Sequence, residues 1–226
     1  MIIISHKASK EFKIFLKDNK FEYIETINNP NLDPRIADHP DLSIFAIDAE
    51  NIVVANEVYD YYRSKIRGVN LIKGQSTGHK YPYDAIYNCL IFDKFFIHND
   101  ITENHIKNYV ETKALRHSII KQGYSRCSII PMKDRLLTSD YGIYKKLNKE
   151  INIILLEEEN IKLDGFDKGF IGGTCGRIGD KILFTGNIKK LKSYDLIKIN
   201  SKESGDKILY PDCELVDIGS IISVNN

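Results

Sequence analysis

The chain has few cysteines, and none of them stands in a pair that metal or redox chemistry would use. Cys89, Cys127, Cys175 and Cys213 lie far apart along 226 residues, with no C-x-x-C spacing for zinc or disulfide exchange. Reduced thiols are the expectation. The six histidines form no helical H-x-x-x-H pair, so no dedicated metal site is expected. A G-x-x-x-x-G-K-[ST] phosphate loop is missing, and Gly169 to Gly176 does not follow G-x-G-x-x-G, so no nucleotide cofactor is expected. No run comes near the roughly 18 apolar residues that a membrane span needs. The opening run Met1 to Ile4 gives way to His6 and Lys7, without the longer apolar stretch and cleavage site of a secretory leader. A cytoplasmic chain that neither enters nor crosses a membrane is therefore expected. Charge of one sign is lacking too: 32 Lys and Arg face 31 Asp and Glu, for a net charge of +1. No global field draws in nucleic acid, and the lysine-rich stretch 187–207 reads as a solvated helix face.

What is present is a folding composition, 42% hydrophobic and 28% charged, carrying an internal repeat. Two apolar strands, a small polar residue and an amphipathic helix recur. Leu42 to Ile47 and Ile52 to Ala55 read as strands, Asn56 as a cap, and Val58, Tyr62 and Ile66 as one face of a helix. Ile86 to Phe92 and Phe95 to His98 repeat the pattern, then Asn99 and a helix carrying Ile106, Tyr109, Val110 and Ala114, with Ser118 to Lys121 starting the return strand. In the third copy Cys127 to Pro131 and Leu136 to Thr138 precede the cap pair Ser139 and Asp140, a helix with Ile143 and Leu147, and the strand Ile151 to Leu156. The fourth copy is Phe170 to Ile178, Ile182 to Thr185, Gly186 and a short helix over Asn187 to Leu191. Cap positions Asn56, Asn99, Ser139 and Gly186 recur at intervals of about 40 to 47 residues, a spacing typical of structural repeats.

The two ends supply a fifth copy in pieces. Cys213 to Val216 and Ile221 to Val224 read as strands; Ile2 to Ile4 leads into a helix with Ala8, Phe12, Phe15 and Leu16 on one side, then the strand Phe21 to Ile27. Joining first and last segments in one unit removes open sheet edges. The expected fold is α/β: a five-bladed propeller of ββαβ repeats with pseudo-fivefold symmetry, closed by both termini, as one domain over residues 1–226.

Such a ring resembles the pentein, or guanidino-group-modifying enzyme, superfamily. The segments Asp38-His39-Pro40-Asp41, Lys80-Tyr81-Pro82-Tyr83-Asp84, Lys121-Gln122-Gly123-Tyr124 and Gly169-Phe170-Ile171-Gly172-Gly173 look like those of a bacterial branch of it. The resemblance implies an axial site for a small, cationic guanidino or amidino ligand, and a hydrolase acting on its C–N bonds. In such enzymes a cysteine thiolate attacks the guanidinium carbon, a histidine moves protons, and carboxylates hold the forked cation. The implied catalytic pair is Cys175 and His39. Ligand-binding candidates are Asp38, Asp41, Asp84, Asn88, Lys121, Gln122, Tyr124 and Thr174, all at or just before the first strand of successive units. One departure matters: agmatine deiminase-like members carry a Gly-Gly-Gly-x-x-His-Cys type of motif near the C-terminus, whereas here Cys213 sits in Tyr210-Pro211-Asp212-Cys213-Glu214. The alternative is therefore a non-catalytic binding protein, since the fold also occurs in a ribosome-subunit anti-association factor.

Each candidate has a plainer reading. Cys89 and Cys127, in apolar strands, read as small core residues. His39, flanked by Asp38 and Asp41, suits acid–base work or simply a polar turn. His6, His79, His98, His105 and His117 read as structural or solvated. Lys80 to Asp84 has the composition of a binding loop or of a rigid turn between units. The Gly172-Gly173 pair admits close approach of either a ligand or another strand.

Overall fold

The structure, a computed structural model, describes residues 1–224. The chain begins with strand β1 (Ile2–Ile4), helix α1 (Lys10–Asp18) and strand β2 (Tyr23–Glu25), half of a unit awaiting its first strand. Four full units follow. The first is β3 (Ile44–Ala46), β4 (Asn51–Val54), α2 (Tyr59–Lys65) and β5 (Asn70–Lys73); the second is β6 (Leu90–Phe92), β7 (Phe95–His98), α3 (Asn104–Thr112) and β8 (Arg116–Ile119). The third is β9 (Ile129–Pro131), β10 (Leu136–Thr138), α4 (Tyr141–Leu147) and β11 (Ile153–Leu155); the fourth is β12 (Cys175–Ile178), β13 (Lys181–Phe184), α5 (Tyr194–Ser204) and β14 (Lys207–Leu209). Strand β15 (Ile222–Ser223) then pairs antiparallel with β1, Ile3 opposite Ile222, and completes the opening half-unit.

Every unit has one topology: its first strand runs antiparallel to its second, and the second runs parallel to its third across the helix. A parallel return needs a crossover, and the helix supplies it on the outside. The middle strands are almost wholly apolar (Ile-Val-Val, Phe-Phe-Ile, Leu-Leu, Ile-Leu-Phe and Ile-Ile-Ile) because both of their faces are covered. The first strands abut around a common axis, β9 against β12, β12 against β15, and β15 against β3. The chain is a five-bladed α/β propeller closed by its two ends. Its core is divided among the seams between blades; Ile130, Leu137, Ile182 and Phe184, for example, share one seam.

Three sequence expectations need correction. Cys213 to Val216 forms no strand; only Val216 pairs, in an isolated bridge to Lys162. The fourth helix does not occupy Asn187–Leu191; it begins seven residues later, at Tyr194. Asn187 is engaged elsewhere, with its N–H on the Cys213 carbonyl and its side-chain oxygen accepting from Lys189 N. The real helix turns Asn200, Ser201 and Ser204 inward beside Ile197, so its apolar period is weak. The cap of the second unit's helix also falls later than expected: Glu103, rather than Asn99, accepts the free N–H of Ile106. In the third unit Asp140, of the expected pair Ser139 and Asp140, caps Ile143 N. Among the described residues no helix is long and apolar enough to cross a membrane.

Candidate functional site

Each first strand is entered through a tight polar turn, and pseudo-symmetry gathers those turns at one mouth of the axis. Pro40–Leu42, Tyr83–Ala85 and Gly172–Thr174 are single 3-10 turns just before β3, β6 and β12. Pro40, at the first position of its turn, fixes the backbone that presents Asp41. Residues 123–128 and 217–220 serve the same purpose before β9 and β15.

The side chains at this mouth form three hydrogen-bonded groups. Tyr124 donates its hydroxyl to Asp84 Oδ2 at 2.8 Å. Cys127 donates its thiol to Asp41 Oδ2 at 2.9 Å and accepts from Asn88 Nδ2 at 3.1 Å. Asn88 fastens this turn with its oxygen, which takes the N–H groups of Arg126 (2.7 Å) and Cys127 (3.2 Å). Asp217 accepts from Phe170 N at 2.8 Å and Gly219 N at 2.9 Å, and it lies within electrostatic reach of His39 and Asp41. His39 is pressed against Gly219, whose φ of +77° suits glycine; a Cβ there would fall 2.2 Å from the His39 Cβ. The rings of Tyr81, Tyr124 and Phe170 stand over these groups at centroid spacings of 5.4 and 5.8 Å.

Burial sets the electrostatics. It pushes the carboxyl of Asp217 above the ordinary range, with His39 and two backbone N–H groups opposing. Asp84 is also raised by burial, against the Tyr124 hydrogen bond. The thiol of Cys127 lies well above its ordinary value because it is buried and faces Asp41 and Asp217. Asp38 differs: burial raises it, but the Lys7 ammonium at 2.5 Å and the Ser5 hydroxyl outweigh that and hold it below the usual range. Asp41 and Asp84 each keep one buried oxygen, Oδ1, with no hydrogen-bond donor.

Of the residues expected from sequence, Asp38, His39, Asp41, Asp84, Asn88 and Tyr124 meet at this mouth. Four do not. Lys121 is exposed, and Gln122 bonds to Asp140 and to Tyr124 N; both belong to the rim beside α4. Thr174 spends its hydroxyl on the Ile171 carbonyl at 2.7 Å, within its own turn. The thiol of Cys175 is fully buried in the seam with Ile130, Ile171 and Phe184, bonds to the Gly172 carbonyl at 3.6 Å, and is pushed by burial to about 11. The glycine pair serves strand packing: a Cβ on Gly172 would strike the Ile129 carbonyl at 2.4 Å, and one on Gly173 would strike Asp217 Oδ1 at 2.1 Å. Sequence reading missed Cys127 as a site residue, and missed Asp217. Their common signal is position, a polar residue within a few places of an inner strand.

Among the described residues no cluster of three or more His, Cys, Asp or Glu is arranged to hold a metal ion. No curated protein matches the chain in sequence. Solved structures match in fold. DDAH from Pseudomonas aeruginosa, a cysteine-to-serine mutant complexed with citrulline, aligns with a TM-score of 0.54 at 11% identity over 91% of this chain and 81% of that one. An adduct of dimethylarginine dimethylaminohydrolase with S-methyl-L-thiocitrulline gives 0.56 at 11% identity over 93% and 91%. The N-terminal domain of ArgZ, a cyanobacterial arginine dihydrolase bound to its substrate, gives 0.51 at 13% identity over 91% and 80%. These likenesses establish the pentein fold. A family model matches residues 3–222, and the chain belongs to that family, described as "Family of unknown function (DUF6873)".

Proposed function

We propose that this chain binds a compact guanidinium or amidinium ion at the turn-lined mouth of the axis and hydrolyses one of its C–N bonds, with Cys127 rather than Cys175 as the attacking thiol. One observation carries the reading. Asp41, Asp84 and Asp217 are all buried, and among the described residues no lysine or arginine pairs with any of them. Buried carboxylates keep a proton or gain a cation. The unpartnered Oδ1 atoms of Asp84 and Asp41 leave acceptors for N–H donors, and a guanidinium or amidinium carries several on one planar cation. S-methyl-L-thiocitrulline, named with one structural neighbour, carries an amidinium-like isothiourea carbon, and citrulline, named with another, is a ureido compound of the type such a hydrolysis leaves.

A cation held on Asp84 brings positive charge beside Cys127, favouring the thiolate that burial and the neighbouring aspartates oppose. The sulfur then attacks the central carbon. The C–N bond breaks, the amine leaves with a proton carried by His39, and water cleaves the S–C bond to release a urea or amide and restore the thiol. A second reading, binding without turnover, is favoured by the resting thiol, which is only 3% exposed and already donated to Asp41.

Calorimetric titration with methylguanidine, acetamidine and arginine, alongside assays for released amine and ureido product, separates the two. Asp84→Asn should weaken binding roughly 10- to 100-fold, as expected for loss of a charge-assisted hydrogen bond. Cys127→Ala should keep binding and lose turnover. Binding without turnover in the natural chain selects the second reading, and absence of binding by every guanidine and amidine defeats both.

A further inference from the structure

Beyond the Cys127–Asp41 contact the axis widens again at the far ends of the inner strands. A cavity of about 390 Å³ lies there, walled by Ala46 of β3, Phe92 of β6, Pro131 of β9, Arg177 of β12 and Ser223 of β15, with Asp41 and Arg126 also lining it. Asp41 and Arg126 precede their strands while the five wall residues just named lie toward the far ends of theirs, so these two stand on the side of the cavity that faces the mouth. Every blade contributes, which makes this a feature of the ring rather than of one loop.

Three polar groups of this cavity have unspent bonding capacity. Arg126 is 7% exposed; its Nη1 donates to the carbonyls of Ile129 (3.0 Å) and Gly172 (3.4 Å), and its Nη2 to that of Cys175 (3.1 Å). Carbonyls orient a guanidinium without neutralising it, and among the described residues no carboxylate pairs with Arg126. Ser223 Oγ is buried with no partner, and Asp41, 1% exposed, keeps its Oδ1 without a donor. The other charged wall groups are engaged or at the open rim. Asp48 accepts from Glu50 N, Asn51 and Tyr109, Arg177 is bound to Asp206, and Lys133 and Asp93 are exposed.

We infer that this cavity is a second binding site, for a small zwitterion of the amino-acid type. Its carboxylate lies on Arg126 and Ser223, its ammonium on Asp41, and a short aliphatic chain against Phe45, Leu90 and Ile222. A lone anion would face Asp41 uncompensated, and a lone cation would face Arg126; a ligand with both charges satisfies both. The two readings share Asp41, but their failures are distinguishable, because Asp84 serves only the mouth while Arg126 and Ser223 serve only the cavity.

Three probes sharing one carbon chain test it on the full chain by calorimetry and thermal shift: L-norvaline with both charges, pentanoate with the carboxylate alone, and butylamine with the ammonium alone. Norvaline should bind and raise the melting temperature, with the other two weaker by about tenfold or more. Arg126→Met should abolish norvaline binding. Because Arg126 also ties three carbonyls together, Ser223→Leu, which fills the cavity from the last strand, should do the same and carries the test where Arg126→Met does not fold. Asp84→Asn should leave norvaline binding unchanged. The inference is overturned if norvaline fails to bind, if either single-charge probe matches it, if Ser223→Leu leaves binding intact, or if Asp84→Asn removes it.

Discussion

Replacing Gly173 by alanine puts a methyl group where a buried carboxylate already sits. The added Cβ would lie 2.1 Å from Asp217 Oδ1 and 2.4 Å from its Cγ. The backbone cannot retreat, because Gly173 donates to the Cys127 carbonyl at 2.9 Å while its own carbonyl accepts from Ile218 N (3.1 Å) and Ser220 N (2.9 Å). Asp217 must therefore move, and with it the hydrogen bonds from Phe170 N and Gly219 N. Overpacking strain of roughly 1–3 kcal/mol adds to weakened bonds to a carboxylate worth roughly 1.5–3 kcal/mol each, so Gly173→Ala should cost about 4 kcal/mol. Asp217→Ala alone, which orphans two buried N–H groups, should cost about 3 kcal/mol. In the double variant the three atoms nearest the new methyl group, Oδ1, Cγ and Oδ2 of Asp217, are gone, and its stability should equal that of Asp217→Ala. Urea denaturation of the four proteins measures the cycle. Losses that add to within about 0.5 kcal/mol would refute the reasoning, and would reassign the glycine pair from strand packing to ligand approach.

Two further outcomes follow from groups away from the mouth. His98 Nδ1 lies 2.9 Å from the Asn99 carbonyl, which only accepts, so Nδ1 holds the proton and Nε2 takes the His117 Nδ1–H at 3.0 Å. Burial, joined by His117 and Lys107 and opposed by the Asn99 bond and Asp100, pushes the pKa of His98 down to about 4. The folded value is below the unfolded one of about 6.5, so its contribution is present above that pH and is lost as pH falls toward the folded value. Stability in urea should drop by roughly 2–3 kcal/mol across that window, and His98→Gln should flatten the slope; an unchanged slope removes His98 as its source. Iodoacetamide should label the native chain slowly, and only at the half-buried Cys213, because Cys89, Cys127 and Cys175 are buried. Burial raises the thiol pKa of all four. Peptide mapping that finds fast native labelling at Cys127 would contradict its burial and the raised thiol pKa that burial brings.

The ring was legible because its repeat is written in the residues that packing constrains most. A middle strand buried on both faces has to be a short apolar run, and Ile52 to Val54, Phe95 to Ile97, Leu136 to Leu137 and Ile182 to Phe184 each stand out between polar turns. Helix α5 was not legible, since its inward face carries Asn200, Ser201 and Ser204. Ser201 and Ser204 bond to Asp206 and Ser204 also to the Asn200 carbonyl, so tertiary hydrogen bonds replace the apolar stripe that periodicity detects. The membership of the mouth was half legible for a related reason. Asp41, Asp84, Asn88 and Tyr124 are polar residues in front of apolar strands, whereas Asp217 directly follows Cys213 to Val216, a stretch read as a strand, and so passed for the link to the strand read at Ile221 to Val224.

The choice of cysteine turns on register. The first residues of the five inner strands are Ile44, Leu90, Ile129, Cys175 and Ile222, and each is buried, at 0, 9, 0, 0 and 8% exposure. Cys175 therefore occupies a place that every other blade gives to a branched aliphatic, where a thiol substitutes as a small hydrophobe. Its glycine context suggested an approach route, but those glycines admit the Ile129 carbonyl and the Asp217 carboxylate instead. Two places upstream of the strand stand Asn88, Cys127, Gly173 and Ser220 in four blades. That register holds Cys127 and its amide partner Asn88, and in a ring of repeats equivalent positions converge whatever their neighbours in sequence. Aligning blades on their first strands, rather than weighing each cysteine by local motif, separates the thiol of the mouth from the thiol of the seam.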